Sequence, residues 1–350
     1  MYRDGKLDPV ALKAQFIEKT GFRRQEVLQG PSIGVDVSVI KIDEKTALIA
    51  ASDPLSILPS LSMEISAWLS VHLMANDVAT TGFLPNYGQF VLNLPTSLSS
   101  SQIQNYWNSI DQYCKEIGVH ITGGHTAFDS FTQSTIAGGG TLFTIAPVDE
   151  VKTSSLAQVG DDLLMTKSAA LSSSSLLAWS FPDYTEKHVG GEITKQAQES
   201  FFDTSIIPEV KVLQEDQELF SQVHAMHDVT EKGIVGASHE FAQASNTCIS
   251  LFEENIRVAE PQRQVCKLFK IDPLRSIGAG SLLIACNPLY TDKIITKLGD
   301  AHIETIRIGR FNSRQDPKPY LQDQNGLPIP YPVEDPYWAA YFTAYKNNLS

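Results

Sequence analysis

The chain of 350 residues is 42% hydrophobic and 19% charged, the balance of an ordinary globular protein. Its formal net charge of −13 is not offset by any Lys/Arg-rich run, which disfavours duplex nucleic acid or an anionic membrane as a partner. No apolar run approaches the ~18–20 residues that span a bilayer and no targeting segment is visible, so we expect a cytoplasmic protein.

The chain is longer than the ~250–300 residues at which single hydrophobic cores stop growing, and this predicts two domains. The four cysteines are widely spaced and form no C-x-x-C pair. Three of them lie in apolar or amphipathic stretches, which is typical of buried thiols. The pattern argues against a disulfide framework or a zinc site for Cys114, Cys248, Cys266 and Cys286.

The first half of the chain alternates helical and extended patterns. Apolar residues recur at helical spacing in 7–29, and the stretch Gly30-Pro31-Ser32-Ile33-Gly34 ends that pattern. Runs of β-forming residues then predict strands. The predicted elements are strands Val35–Ile40 and Thr46–Ala51, helix Met63–Thr81, strand Tyr87–Leu94, helix Ser99–Gly118, and strands Val119–Thr122 and Ser134–Ile145.

A second series of strands and helices begins near Gly160. It comprises strand Asp162–Thr166, a helix opening at Ser172, a helical stretch 194–220, the loop His227–Lys232, helix Gly233–Ala244, strands Cys248–Phe252, Gly280–Cys286 and Ile303–Ile308, and a helix near 290–299. We therefore predict an α/β (α+β) protein with domains 1–152 and 153–312. Residues 313–350, rich in Pro, Gln, Asp and aromatics, form an irregular tail closed by a short helix.

Acidic residues follow strand ends and turns in the first half. Asp36 follows a glycine-bearing turn, Asp53 ends a strand just before Pro54, and Asn76-Asp77 lies inside an otherwise apolar helix. Carboxylate oxygens are hard ligands that suit magnesium, which keeps waters and bridges substrate phosphates. Taken one at a time, each Asp is more simply explained as a cap or turn residue.

The turn Gly123-Gly124-His125-Thr126 comes directly after an apolar strand. Two glycines permit positive φ and a close approach of a ligand to the backbone. His125 could contact such a ligand, although a lone histidine is more often a structural hydrogen-bond donor.

The order and spacing of these segments resemble the aminoimidazole-ribonucleotide (AIR) synthase superfamily, whose fold is called PurM-like. Residues 30–40 resemble the "GPGIGEDAAVI" motif, 51–54 the "(S/T)(S/T)DP" strand end, and 74–82 the "NDxxxxGA" helix, with Phe83 in place of the final alanine. Residues 123–126 are similar to the "GGHT" variant of archaeal members related to the hydrogenase maturation protein HypE. Residues 159–167, 227–233 and 271–281 resemble segments of the C-terminal domain.

The resemblance implies a homodimer in which N-terminal domains pair into a β-barrel, with ATP and Mg²⁺ bound on that barrel. It implies metal ligation by Asp36, Asp53 and Asp77, and catalytic roles for Asp53, Asp77 and His125. The nucleotide would be bound by Gly34, Asp36, Asn76, Gly123, Gly124, Thr126, Lys167 and Asp228.

Three departures from the family pattern bear on activity. HypE proteins end in a tail whose terminal cysteine accepts a carbamoyl group, whereas this chain ends at Ser350 and its last cysteine is Cys286, so we expect no such chemistry in cis. The loop 168–175 is serine-rich where relatives have glycine; its serines could cap the next helix or donate to an anion. Glu231-Lys232-Gly233 replaces Arg-Gly-Gly, which weakens any bidentate grip on phosphate.

The resemblance favours an ATP-dependent enzyme that phosphorylates or activates a small or carbonyl-bearing acceptor, which the sequence does not identify. Two alternatives remain open. One is a non-catalytic scaffold or partner-binding dimer in cofactor or metalloenzyme assembly, suggested by the altered loops. The other is a small-molecule kinase resembling thiamine-monophosphate kinase.

Overall fold

A computed structural model describes residues 6–7, 9–130, 135–314 and 319–350. The chain divides into two compact units. The N-terminal unit comprises Arg24–Gly30 and Asp36–Val151, and the C-terminal unit comprises Met1–Arg23, Pro31–Val35 and Lys152–Ser350. Each unit contains one mixed six-stranded sheet in the described ranges, which confirms the predicted α/β class. Across those ranges, every helix is too short or too polar to cross a membrane.

The start of the chain departs from the sequence prediction. The helical pattern in 7–29 is present only as helix α1 (Pro9–Leu12) and a π-helical turn at Lys13–Ile17. Gly21 has a φ of +67°, which does not continue a helix, and Val27–Gln29 forms strand β1, antiparallel to the next strand. The sequence-based domains placed residues 1–23 with the N-terminal domain, but their described part groups with the C-terminal unit.

The N-terminal sheet has the strand order β1-β2-β3-β6-β4-β5. β3 and β6 pair antiparallel over ten consecutive residues, whereas β5 runs parallel to β4 at the sheet edge. The predicted strand from Ser134 is β6, although Ser134 itself lies outside the described residues. The remaining elements of this unit are β2 (Ser38–Lys41), β3 (Thr46–Ser56), α2 (Met63–Ala79), β4 (Tyr87–Pro95), α3 (Ser100–Ile117), β5 (His120–Asp129) and β6 (Ile136–Pro147).

Helices α2 and α3 pack on one face of this sheet. Helix α3 begins with a capping box between Ser99 and Gln102 and ends at Gly118 in the left-handed conformation, as its sequence predicts. Its buried stripe includes Tyr106, Ile110 and Cys114. The strands alternate strictly, so residues on the other sheet face are exposed or half-buried.

The C-terminal sheet has the strand order β12-β9-β11-β7-β10-β8. All five residues of β7 and of β10 are buried. The strands are β7 (Asp162–Thr166), β8 (Val223–Asp228), β9 (Thr247–Leu251), β10 (Leu282–Cys286), β11 (Thr305–Ser313) and β12 (Leu321–Asp323). The helices are α4 (Leu171–Ser180), α5 (Pro182–Val189), α6 (Gly191–Glu199), α7 (Ile207–Gln214), α8 (Gln217–Gln222), α9 (Gly233–Ala244), α10 (Glu260–Phe269), α11 (Thr291–Asp300) and α12 (Pro336–Lys346).

The tail is more ordered than its composition suggested. Its strand β12 pairs parallel with β9, and the closing helix α12 begins at an Asp335 cap. Leu321 and Ile329 belong to the same buried apolar cluster as Phe241 of α9 and Phe311 of β11. The tail therefore completes the core of the C-terminal unit.

Candidate functional site

Asp53 lies on the helix-covered face of the N-terminal sheet. Its neighbours two positions away, Ala51 and Leu55, are both buried on that face, whereas Asp53 is only half-buried. The strand register aligns Asp53 with Gly140 of β6, then Phe90 of β4 and Gly124 of β5. Gly140 and Phe90 in the middle of this row are buried, whereas Asp53 at one end is half-buried and Gly124 at the other end is exposed.

Helix α2 brings Asp77 to the same end of the layer. The backbone N–H of Ser56 in β3 donates to Ser70 Oγ of α2 at 3.0 Å. This hydrogen bond sets the position of α2 along the direction of β3, which we call its height. A Cβ atom on Gly140, the partner of Asp53, would lie 2.5 Å from Met74 Cε. Asp77 follows Met74 by about one helical turn, ~5 Å along the axis. The two predicted acids therefore come from adjacent elements at similar height.

Asn76 and Asp77 differ in exposure although they are neighbours. Asn76 is fully buried, and Asp77 is half-buried. The backbone carbonyls of both residues accept hydrogen bonds from Thr80, whose N–H and hydroxyl end the helix. Of the two, Asp77 is the one with access to a ligand.

Residues Gly123 to Thr126, which the sequence predicted as a turn, lie within strand β5 and are extended. Gly124 has a φ of +154°, and a Cβ atom there would lie 1.9 Å from the carbonyl oxygen of Phe90, so only glycine fits. Gly123 and Thr126 are exposed, and Thr126 pairs with Leu92 on the face that Asp53 shares. His125 pairs with Val91 on the opposite face. The register thus places Thr126 on the same face of the sheet as Asp53. His125 lies on the face that helices α2 and α3 do not cover, which we call the open face.

The three predicted metal ligands do not form a closed cage. In the described part of the chain, Asp36, Asp53 and Asp77 do not bring three carboxylate oxygens within 4.8 Å of one another. Mg²⁺ is usually held by one or two carboxylates together with waters and phosphate oxygens, so it does not need such a cage. Half-buried carboxylates at Asp53 and Asp77 fit that mode of binding.

Gly34, in the C-terminal unit, is required for close packing. It has a φ of +74°, and a Cβ atom there would lie 2.1 Å from the carbonyl oxygen of Glu240. The glycine of the "GPSIGVD" stretch therefore fits helix α9, which explains its place in the motif without a ligand.

Lys167 is held by its own unit. Its Nζ lies 2.9 Å from Oε1 of the fully buried Glu209. The same Nζ donates hydrogen bonds to the backbone carbonyl oxygens of Asp203 and Ser205. These contacts occupy the ammonium group, which argues against the predicted role of Lys167 in nucleotide binding. Asp228 is buried at the end of β8, next to His227.

The serine-rich loop is structural. The residue that precedes α4 is Ala170, in the left-handed conformation and without a side-chain cap, so the serines do not cap the helix as the sequence suggested. Ser172 accepts from the N–H of Ala279, and Ser168 accepts from the N–H of Ala259. Ser173, Ser174 and Ser175 donate to helix carbonyls and are fully buried.

The segment His227–Lys232, predicted as a loop, begins with the last two residues of β8 and is bound by residues that the sequence analysis did not single out. Lys6, Glu240, Tyr331 and Asp335 contact this loop from the N-terminal segment, helix α9 and the tail. Sequence separations of more than 90 residues hid most of these contacts. The one local signal was Glu240, an acid beside the apolar positions Ala237 and Phe241 of its helix.

Comparison with known families agrees with this architecture. A model of the AIR synthase related protein N-terminal domain matches residues 34–143, and a model of the C-terminal domain matches 158–322. This chain belongs to the AIR synthase related family.

Relatives within the family carry several names. A selenide, water dikinase of Methanococcus maripaludis is 24% identical over 308 residues, covering 83% of this chain and 88% of the relative. The solved structure of AaThiL with AMPPCP and TMP has a TM-score of 0.67 at 19% identity, covering 86% of this chain and 91% of that chain. A HypE structure in complex with ATP has a TM-score of 0.63 at 18% identity, covering 93% and 94%. At these identities the solved structures show the shared fold.

The cysteines of this family member are not placed for thiol chemistry. Cys114, Cys248, Cys266 and Cys286 are all buried and free. Burial raises the pKa of Cys114, Cys266 and Cys286 to about 12, and the thiolate is the nucleophilic form. These four thiols are therefore poor acceptors for a transferred group.

Proposed function

We propose that this protein binds ATP with Mg²⁺ on its N-terminal unit and transfers a phosphoryl group to a small acceptor. The observation that carries the proposal is the row Asp53–Gly140–Phe90–Gly124, with Asp77 at similar height on α2. Asp53 and Asp77 are both half-buried, so two carboxylates from adjacent elements are accessible to a metal that also binds phosphate oxygens. The solved relatives with ATP or AMPPCP bound support the choice of nucleotide.

Asp53 and Asp77 would hold the metal, and Thr126 would donate its hydroxyl to a phosphate oxygen on the same face. Bound Mg²⁺ would supply charge neutralisation on the phosphates. Catalysis would then depend mainly on positioning and electrostatic stabilisation. Asp36 stays a predicted ligand of this unit; Gly34 and Asp228, in the C-terminal unit, stay predictions for nucleotide binding.

We further propose that two copies pair through the open face of the N-terminal sheet. Apolar side chains on that face are exposed, including Tyr87 and Val91 of β4 and Ile145 of β6. Extended apolar sheet faces are normally covered in a stable protein. A second copy of the same sheet would bury these residues and close a barrel, and His125 lies on this face.

A non-catalytic role is the second candidate, and the C-terminal loops favour it. Lys232 adopts a φ of +66°, which is strained for lysine, and the serine loop turns its hydroxyls inward. Because these polar groups form hydrogen bonds within their own unit, fewer of them are available to bind an acceptor.

Isothermal titration with Mg-ATP, followed by product analysis, separates the candidates. The enzyme proposal expects binding below millimolar nucleotide and ADP or AMP formed with a suitable acceptor, with selenide and thiamine monophosphate as the first two to try. Binding without turnover with either acceptor favours the scaffold, whereas turnover that Asp77→Ala abolishes counts against it. No binding at millimolar Mg-ATP rejects the nucleotide site.

A further inference from the structure

Glu240 is a buried carboxylate at which three parts of the C-terminal unit meet. Its Oε1 accepts the Tyr331 hydroxyl at 2.8 Å. Its Oε2 lies 3.7 Å from His227 Nε2 and 3.8 Å from Lys6 Nζ. Burying an unpaired carboxylate would cost several kcal/mol, so this set of partners is what makes the position tolerable.

The charge of Glu240 is maintained by these partners. Desolvation alone would raise the pKa of its carboxyl, but Lys6 and His227 oppose it and hold the pKa at about 2. The group is therefore anionic at neutral pH. An anion 3.7 Å from Nε2 favours one orientation of the His227 ring, which also packs against Phe241 with ring centroids 5.7 Å apart.

The two ends of the chain bind the loop that follows His227. Lys6 donates its Nζ to Thr230 Oγ1 at 2.8 Å and its backbone N–H to Glu231 Oε2 at 2.6 Å. From the tail, the ring of Tyr331 lies 4.4 Å from Lys232 Nζ. The contacts of Lys6 and of Tyr331 therefore converge on the loop and on Glu240 together.

A second tail contact secures the strained residue of the loop. Asp335 accepts the backbone N–H of Lys232 at 2.6 Å and also caps α12 through the N–H of Tyr337. Lys232 has positive φ, and the next residue, Gly233, has a φ of +62° with the Leu274 carbonyl close by. Such a backbone persists only when its surroundings hold it.

We propose that Glu240 is a positioning residue that sets the conformation of the His227–Lys232 segment, the end of β8 and the loop after it, by joining His227, the N-terminal segment and the tail at one carboxylate. The inference concerns loop geometry in the C-terminal unit. It rests on the proposed function only in that Asp228, inside this segment, is a predicted nucleotide ligand.

Hydrogen exchange of the nucleotide-free full chain tests the proposal with Glu240→Gln. The variant keeps the size and the acceptor for Tyr331 but removes the charge that pairs with Lys6 and His227. Amides of 229–236 should exchange about tenfold faster, as the loss of charge-assisted contacts implies, with β7 and β10 unchanged. The side-chain resonances of His227 should shift as well. The control is Glu254→Gln, an exposed glutamate in the same unit.

Unchanged exchange in 229–236 for Glu240→Gln would overturn the proposal. If that variant does not fold, Tyr331→Phe decides, because it removes a single hydroxyl. It should speed exchange in the same amides more than the exposed Tyr345→Phe does, and equality between these two variants would overturn the idea.

Ligand measurements keep this inference separate from the proposed function. If the wild type binds Mg-ATP, Glu240→Gln should raise the KM for ATP with a smaller change in kcat, because it loosens the segment that carries Asp228, a predicted nucleotide ligand. If the wild type does not bind Mg-ATP, the proposed function fails, and the exchange data alone still decide the role of Glu240.

Discussion

The sheets of the two units differ in what covers them. Every residue of β7 and β10 is buried, so the centre of the C-terminal sheet is covered on both faces. Along β4 of the N-terminal sheet, buried and exposed residues alternate, and the exposed set includes Tyr87 and Val91. The C-terminal unit thus completes its core within one chain, whereas the N-terminal unit leaves apolar side chains exposed on one face of its sheet.

The polar groups of the two units follow the same division. In the N-terminal unit Asp53 and Asp77 are half-buried and Thr126 is exposed, so all three can reach a ligand. In the C-terminal unit Ser172, Glu209 and Glu240 are buried and bonded to neighbouring residues. The comparison supports the proposal that the first set binds a ligand and that the second set serves stability or positioning.

The largest effect should come from a charge on the open face. In Ile145→Glu, pairing of two copies would bury an unpaired carboxylate at a cost of about 4 kcal/mol, close to a thousandfold in dimer affinity. Light scattering coupled to size exclusion should show the wild type as a dimer and this variant as a monomer. Val333→Glu, at an exposed tail position, should stay dimeric. A monomeric wild type would contradict the proposal that two copies pair through the open face.

Asp53→Asn should weaken Mg-ATP binding by roughly 30-fold or more, because it removes a charge-assisted ligand worth about 2–3 kcal/mol. The melting temperature should hardly change, since the side chain is only half-buried. Calorimetric titration and thermal scans check both statements, with the exposed Asp149→Asn as control. A large loss of stability with unchanged affinity would make Asp53 structural, like the polar groups of the other unit.

The buried carboxyl of Asp335 should make the stability of the C-terminal unit depend on pH. Desolvation raises the pKa of its carboxyl to about 6, against hydrogen bonds from Lys232 and Tyr337, with Glu231 adding repulsion. Because the folded state holds the proton more tightly, the stability of the wild type relative to Asp335→Asn should fall as pH rises from about 4 to 6. The change is about 2 kcal/mol, and it should level off above pH 6.

Urea unfolding of both proteins between pH 4 and 8 measures this difference. Asp300→Asn, at an exposed position, should track the wild type at every pH. Parallel curves for the wild type and Asp335→Asn would show that Asp335 does not titrate in this range.

The smallest effect should come from the serine loop. Ser172→Ala leaves the Ala279 N–H without its acceptor, at a cost of about 1–2 kcal/mol of unfolding free energy. Ser175→Ala, whose hydroxyl only donates to a carbonyl one turn earlier, should cost less. Nucleotide affinity should be the same for both variants, and a drop for Ser172→Ala alone would return this loop to the ligand site.

Local patterns predicted the elements well where they were long and periodic. Helix α3, with its Ser99–Gln102 cap and Gly118 stop, and the alternating strand β4 are examples. Strand β12 was missed because three residues in a polar tail carry no periodicity. The first predicted helix was too long because the edge pairing of Val27–Gln29 with β2 overrides a weak helical pattern.

The candidate site was predictable in its residue types but not in its geometry. The motif positions gave Asp53 and Asp77, yet the sheet face of His125 depends on a register shift near Gly88 that has no sequence signature. The contacts of Lys6 with Thr230 and Glu231 span more than 220 residues, which no local pattern encodes.

Burial of the four cysteines makes the native chain suitable for site-specific labelling. Maleimide reagents modify accessible thiolates, and all four native thiols are shielded, three of them with a pKa near 12. A single cysteine introduced at Val333 or Leu289, both highly exposed, would therefore take a fluorophore without a cysteine-free background. Paired dyes on such positions would follow docking of the tail in real time.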